Sequence, residues 1–121
     1  MVEAPLEIKL RSKSKILSIT FSDHKVVDFS FEFLRVHSPS AEVQGHNPDQ
    51  AKLQLNKENV IIKTVEPVGH YALRLIFDDG HDSGLYTWKY LQKLGRDRDE
   101  LWQGYLDQLR ASGYTRSLTK I

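Results

Sequence analysis

Three short apolar–polar alternations, separated by turns too short for anything but a reversal, constrain the first third of this chain. In the first, Leu6, Ile8 and Leu10 alternate with Glu7, Lys9 and Arg11. A period of two puts the two sets on opposite faces of one strand. "SKS" leads into ILSITF, where Leu17, Ile19 and Phe21 share a face. "SDH" then leads into KVVDFSF, with Val27, Phe29 and Phe31 alternating. A parallel connection needs a crossover of about a dozen residues, so these turns predict an antiparallel meander. The basic run Lys9, Arg11, Lys13 and Lys15 reads as a solvated face protecting an edge strand rather than a phosphate-binding stripe.

A polar excursion, SPSAEVQGHNPDQAKLQLNKENV, follows; neither side of it is long enough for a core of its own, so it is not a domain boundary. Strand character returns in VIIKTVEPV and in YALRLIF, with Tyr71, Leu73, Leu75 and Phe77 on one face. Asp78-Asp79-Gly80 has the composition of a hairpin turn, and HDSGLY reads as the return strand. Helices close the chain. Thr87 is a candidate N-cap for TWKYLQKLG, with Trp88, Leu91 and Leu94 as its apolar stripe and Gly95 as its stop. Asp97 with Glu100 resembles a capping box for a second helix, whose Leu101, Trp102, Tyr105, Leu106 and Leu109 face the core and which Gly113 ends. Gly104 costs this helix about 1 kcal/mol relative to alanine, so close packing is expected there. The fold class is α+β: an antiparallel β-sheet meander with two C-terminal helices packed on it. A single domain spans 1–121, its core at about 6–94 and its last helix at about 97–113.

Composition narrows function mainly by exclusion. The 121 residues are 40% hydrophobic and 27% charged, the proportions of one domain with an ordinary core. A net charge of +1 supplies no pull toward nucleic acid or membrane, and neither is expected as a partner. No apolar run approaches the roughly 18 residues of a membrane span, and MVEAPLEIKL lacks the apolar region of a signal peptide. With no cysteine there is no disulfide, thiolate metal site or cysteine nucleophile. The expected compartment is the cytoplasm.

Motifs for chemistry are sparse. The five histidines read HKV, HSP, HNP, HYA and HDS, so none begins the His-x-Asp or His-x-Glu pair of a non-haem iron site. His-Glu-x-x-His, a phosphate-binding glycine loop, a dinucleotide fingerprint and Gly-x-Ser-x-Gly are all missing, and an enzyme is not expected. The densest polar cluster, FDDGHDSG, places Asp78, Asp79, His81 and Asp82 together. It could hold a cation, but reads more simply as a turn whose aspartates cap backbone N–H groups. Ser38, Ser40 and Val43 have a 1-3-6 spacing at which three short side chains could converge on one metal ion, yet hydroxyls and an isopropyl group are poor or no ligands.

Two stretches, LRVHSPSAEVQGH and VEPVGHYALRLIFDDGHDSGLYTWKYL, closely resemble the gamma-butyrobetaine hydroxylase-like N-terminal domain family, formerly a domain of unknown function. The resemblance runs from the first strand to about Leu94 and is most specific in Pro67–Tyr90. Such domains precede Fe(II)/2-oxoglutarate dioxygenases of carnitine biosynthesis, are fused to iron–sulfur carrier ATPases, and occur as short free-standing bacterial proteins. In the dioxygenase members the domain is a zinc module, with a Cys-x-Cys-x-x-Cys loop and a histidine after the turn. By that resemblance the cysteine positions fall at Ser38, Ser40 and Val43, and the histidine at His81. The resemblance therefore implies a zinc site degraded to its histidine and no cofactor, with His81 tying the turn to the serine loop by hydrogen bonds. A weaker site rebuilt from His37, Glu42, His46 and Asp82 is the alternative. The functional expectation is a non-catalytic binding or scaffold module, linked to iron–sulfur or cofactor metabolism, that docks a protein partner. The alternatives are a metal-ion-binding module around His81 and an accessory subunit of a dioxygenase. Tyr86, Trp88 and Tyr90 are the candidate interaction residues, set against a core role for Trp88 and Trp102.

Overall fold

Both alternating blocks form antiparallel sheets in the computed structural model, which describes residues 3–45 and 52–116. The first sheet is β1 (Glu7–Arg11), β2 (Ile16–Thr20) and β3 (Val26–Ser30), in that order, with Ile8 opposite Ile19 and Leu17 opposite Phe29. The second is β4 (Ile62–Val68), β5 (Ala72–Phe77) and β6 (Leu85–Thr87), again in chain order. The meander thus occurs twice, in two separate three-stranded sheets. Helices α1 (Phe31–Val36) and α2 (Ala41–Gln44) lie between the sheets in sequence, and α3 (Trp88–Arg96) and α4 (Arg98–Ala111) follow them. One apolar cluster joins Leu17, Ile19 and Phe29 of the first sheet to Leu73, Leu75 and Phe77 of the second, with Leu34 of α1 and Leu91 and Leu94 of α3. A smaller cluster of Val36, Tyr105 and Leu109 seats α4 against the end of α1.

Several local expectations need correction. Phe31 does not extend β3: Ser30 ends the strand and caps α1, its Oγ accepting from the Phe33 N–H at 3.0 Å. Every residue of α1 is buried, so it shows no amphipathic stripe, and Phe29, Phe31 and Phe33 imitate a strand. β1 is an edge whose apolar face is largely exposed: Leu6 and Leu10 stand in solvent and Ile8 is half-buried. Tyr71 lies in the turn before β5 and is exposed. HDSGLY pairs only from Leu85 onward.

The helix punctuation differs too. Thr87 caps α3 as expected, accepting from the Tyr90 N–H at 3.1 Å. Gly95 is not the stop, since α3 runs through it to Arg96. A Cβ at Gly95 would lie 3.3 Å from Val27 Cγ2 and 3.6 Å from Phe29 Cζ, so the glycine brings α3 close to β3. Asp97 precedes α4 but makes no side-chain cap. A Cβ at Gly104 would meet nothing within 4 Å, and nothing in the structure explains the glycine there.

Candidate functional site

The residues singled out at Ser38–Val43 and at His81 meet at one junction, built from both sides by local hydrogen bonding. α1 ends at His37, whose ring Nδ1 donates to the Phe33 carbonyl at 2.9 Å. The chain then bends through Pro39, and the Ser40 Oγ starts α2 by accepting from the Glu42 N–H at 3.1 Å. Opposite, β5 ends in a tight turn with Gly80 at φ +89°, a conformation that favours glycine. Asp78 accepts from the Ile61 N–H at 3.0 Å and Asp79 from the His81 N–H at 3.2 Å, the capping roles that the composition of this turn predicts. Asp79 also takes Arg35 at 2.9 Å and Lys57 at 2.7 Å, fastening the turn to α1.

That turn aims the His81 ring at the serine loop. Nε2 lies 2.8 Å from the Ser38 Oγ, and Nδ1 lies 3.5 Å from Glu42 Oε2. Nε2 and the Ser38 hydroxyl thus share one buried hydrogen bond, its donor set by the imidazole tautomer. Ser38 Oγ in turn accepts from the Ser40 N–H at 3.2 Å. The Ser40 hydroxyl donates to Ser83 Oγ at 2.8 Å, and Ser83 donates to Glu42 at 2.9 Å, which closes the ring of contacts. Ser38 has no exposed surface and His81 is 6% exposed.

Glu42, His81 and Ser38 are connected like the acid, base and nucleophile of a serine hydrolase, and the difference lies in access. A Cβ on Gly84 would sit 2.3 Å from the Ser38 Oγ and 3.2 Å from Pro39 Cδ. The backbone at residue 84 therefore lies directly over the hydroxyl, where an attacked carbonyl would have to stand. The carboxylate-to-imidazole distance is also longer than a hydrogen bond.

Burial pushes the His81 imidazole below its ordinary value of 6.5, and the Arg35 cation acts in the same direction, against weaker upward pulls from Glu42 and Asp79. His37 is lowered as well, by burial against its bond to Phe33. Both rings stay neutral in the fold while the unfolded chain takes up protons below about pH 6.5. Stability should therefore fall as the pH drops from 7.5 to 5.5. Urea midpoints at the two pH values check this; equal midpoints would contradict it, and His81→Ala should shrink the difference.

Of the aromatic residues proposed as a surface, Tyr86 is buried, Trp88 takes the core role set against a surface one, and Tyr90 is half-buried. Tyr86 has no exposed surface and donates its hydroxyl to the Leu34 carbonyl. Trp88 is buried and donates its indole N–H to His70 O at 2.7 Å. Tyr90 is half-buried and donates to His37 O at 2.6 Å. All three tie β6 and α3 to neighbouring backbone, because a large ring with one polar atom is stable inside when that atom finds a carbonyl. Gly84 and Ser83 were the residues missed; a glycine that neither makes a turn nor ends a helix was the available signal. His46 lies outside the described residues.

A family model described as gamma-butyrobetaine hydroxylase-like, N-terminal, matches residues 8–92. The chain belongs to this family. Its fold recurs in solved structures of related sequences. One protein with an NMR solution structure is 48% identical, over 100% of this chain and 98% of its own, with a TM-score of 0.82. Another NMR structure is 45% identical over 98% and 90% of the two chains, with a TM-score of 0.79. A crystal structure from Acidithiobacillus ferrooxidans, of a DUF971-family protein of unknown function, is 37% identical over 75% and 91%, with a TM-score of 0.64. No functionally curated protein matches the chain.

For zinc, the family resemblance offers this junction, and the donor set there does not fit. It consists of one imidazole whose Nε2 already meets Ser38, two hydroxyls engaged with backbone and side chains, and the buried isopropyl group of Val43. Of the alternative ligands, His37 spends Nδ1 on Phe33 and Asp82 faces Arg74 at 3.6 Å. Among the described residues no three His, Cys, Asp or Glu side chains stand together as a metal-holding group.

Proposed function

We propose that this member of the gamma-butyrobetaine hydroxylase-like N-terminal family is a non-catalytic scaffold module that docks a protein partner and holds its former metal junction by hydrogen bonds, without zinc. The observation that carries the reading is the closed junction: the hydroxyl of Ser38 is fully buried, covered by residue 84, and bonded to His81 and Ser40. A nucleophile or ligand set poised for chemistry needs an open side, whereas a structural tie does not. No helix among the described residues is long and apolar enough to cross a membrane. The family's fusions make iron–sulfur and cofactor metabolism the first place to seek the partner.

The test has two arms. The purified chain should neither be labelled by a fluorophosphonate at Ser38 nor form succinate from 2-oxoglutarate with added Fe(II). Stoichiometric labelling of Ser38, or iron-dependent succinate, would overturn the non-catalytic reading.

A further inference from the structure

Beyond the region that the family model matches, the chain carries a strap that pairs an arginine with a buried carboxylate. α4 ends in a left-handed Gly113 at φ +82°. The Gly113 N–H bonds the Arg110 carbonyl and the Tyr114 N–H the Leu109 carbonyl, both at 3.1 Å. That pair of bonds is a Schellman termination, and Tyr114 packs with Leu109 as the motif requires. The reversal sends the chain back over the segment before β4, where the Tyr114 hydroxyl donates to Glu58 at 2.7 Å. Arg116 then forks onto Glu32, Nε donating at 3.1 Å and a terminal nitrogen at 2.5 Å, with its guanidinium carbon 5.3 Å from the centre of the Trp102 ring.

Glu32 is 7% exposed, on a helix that is buried all round. Anchoring a strap needs no buried carboxylate, since an apolar contact of the same volume is usually as stable or more so. What a buried carboxylate beneath an aromatic face adds is selectivity for a planar, two-pronged cation. The side chain of Arg116 is 27% exposed, against 8% for that of Glu32, so the guanidinium reaches solvent while the carboxylate beneath it does not. We propose that Glu32 and Trp102 form a guanidinium-binding pocket, occupied in cis by Arg116 and able to take an arginine side chain from a partner polypeptide. This deepens the docking reading and rests on it for the partner, but the pocket's chemistry is tested without one, so failure here would leave the scaffold reading standing.

The test uses the full chain with Arg116→Ala, titrated with N-acetyl-arginine amide and with its lysine and citrulline counterparts. The readouts are the NMR signal of the Trp102 indole N–H and the melting temperature. The arginine compound should shift the signal saturably and raise the melting temperature, with lysine at least about tenfold weaker and citrulline inert. The response should vanish in Glu32→Gln/Arg116→Ala and be much weaker in the unsubstituted chain, where the strap competes. If Arg116→Ala does not fold, Arg116→Lys replaces it under the same criteria. No saturable arginine response, or one that survives Glu32→Gln, overturns the proposal.

Discussion

Gly84→Ala should destabilise the protein by about 2–3 kcal/mol, the upper part of the range for inserting a methyl group where no space exists. The new Cβ would stand 2.3 Å from the Ser38 Oγ and 3.2 Å from Pro39 Cδ. Real contacts of this kind need about an ångström more, so the turn and the serine loop must separate. Separation by that much stretches the 2.8 Å bond between Ser38 and His81 beyond hydrogen-bonding range and uncovers a hydroxyl that now has no exposed surface. Gly104→Ala is the internal control of opposite sign. It lies inside α4 with nothing within 4 Å of its Cβ position, so alanine should stabilise the helix by about 1 kcal/mol. Urea melts of the two variants should move in opposite directions; a stable Gly84→Ala protein would mean that the junction is not closed as described.

His81→Ala should cost about 2 kcal/mol, from a lost buried hydrogen bond, a stranded Ser38 hydroxyl and the space left by the ring. Ser38 would keep its bond from the Ser40 N–H, which limits the loss. His70→Ala is the proper control, because His70 is exposed and offers only its backbone carbonyl to Trp88. His24 is a poorer one: its exposed side chain sits on backbone with φ 70°, so substitution there also tests a left-handed conformation. Equal midpoints for His81→Ala and His70→Ala would make the histidine a relic without a structural role.

Period-two alternation made the strands legible, because Leu17, Ile19, Leu73 and Leu75 recur at every second position on the face that meets the core. The same rule hid α1, where burial on every side removes the helical stripe and three alternating phenylalanines imitate a strand. Glycines were legible where backbone conformation demanded them, at Gly80 and Gly113; where close approach did, Gly95 was misread as a helix stop and Gly84 was missed. Close approach depends on what another part of the chain places opposite, which no local pattern encodes. The direction of the His81 ring followed from the family resemblance. Its partner network through Ser83 and Glu42 did not, because hydroxyl pairs across 41 to 43 residues leave no spacing signal. Tyr86 was misplaced for a related reason, whereas Trp88 takes the core role set against its surface one: an aromatic residue's composition says nothing of whether a carbonyl waits for its polar atom inside.

The central claim, that hydrogen bonds hold this junction where a metal ion is not needed, is tested most directly by thermal unfolding of the purified chain with and without a strong zinc chelator. The melting temperature should be the same in both, with the chelator drawing no stoichiometric zinc from the protein. A drop of many degrees on chelation, accompanied by one zinc released per chain, would contradict the account.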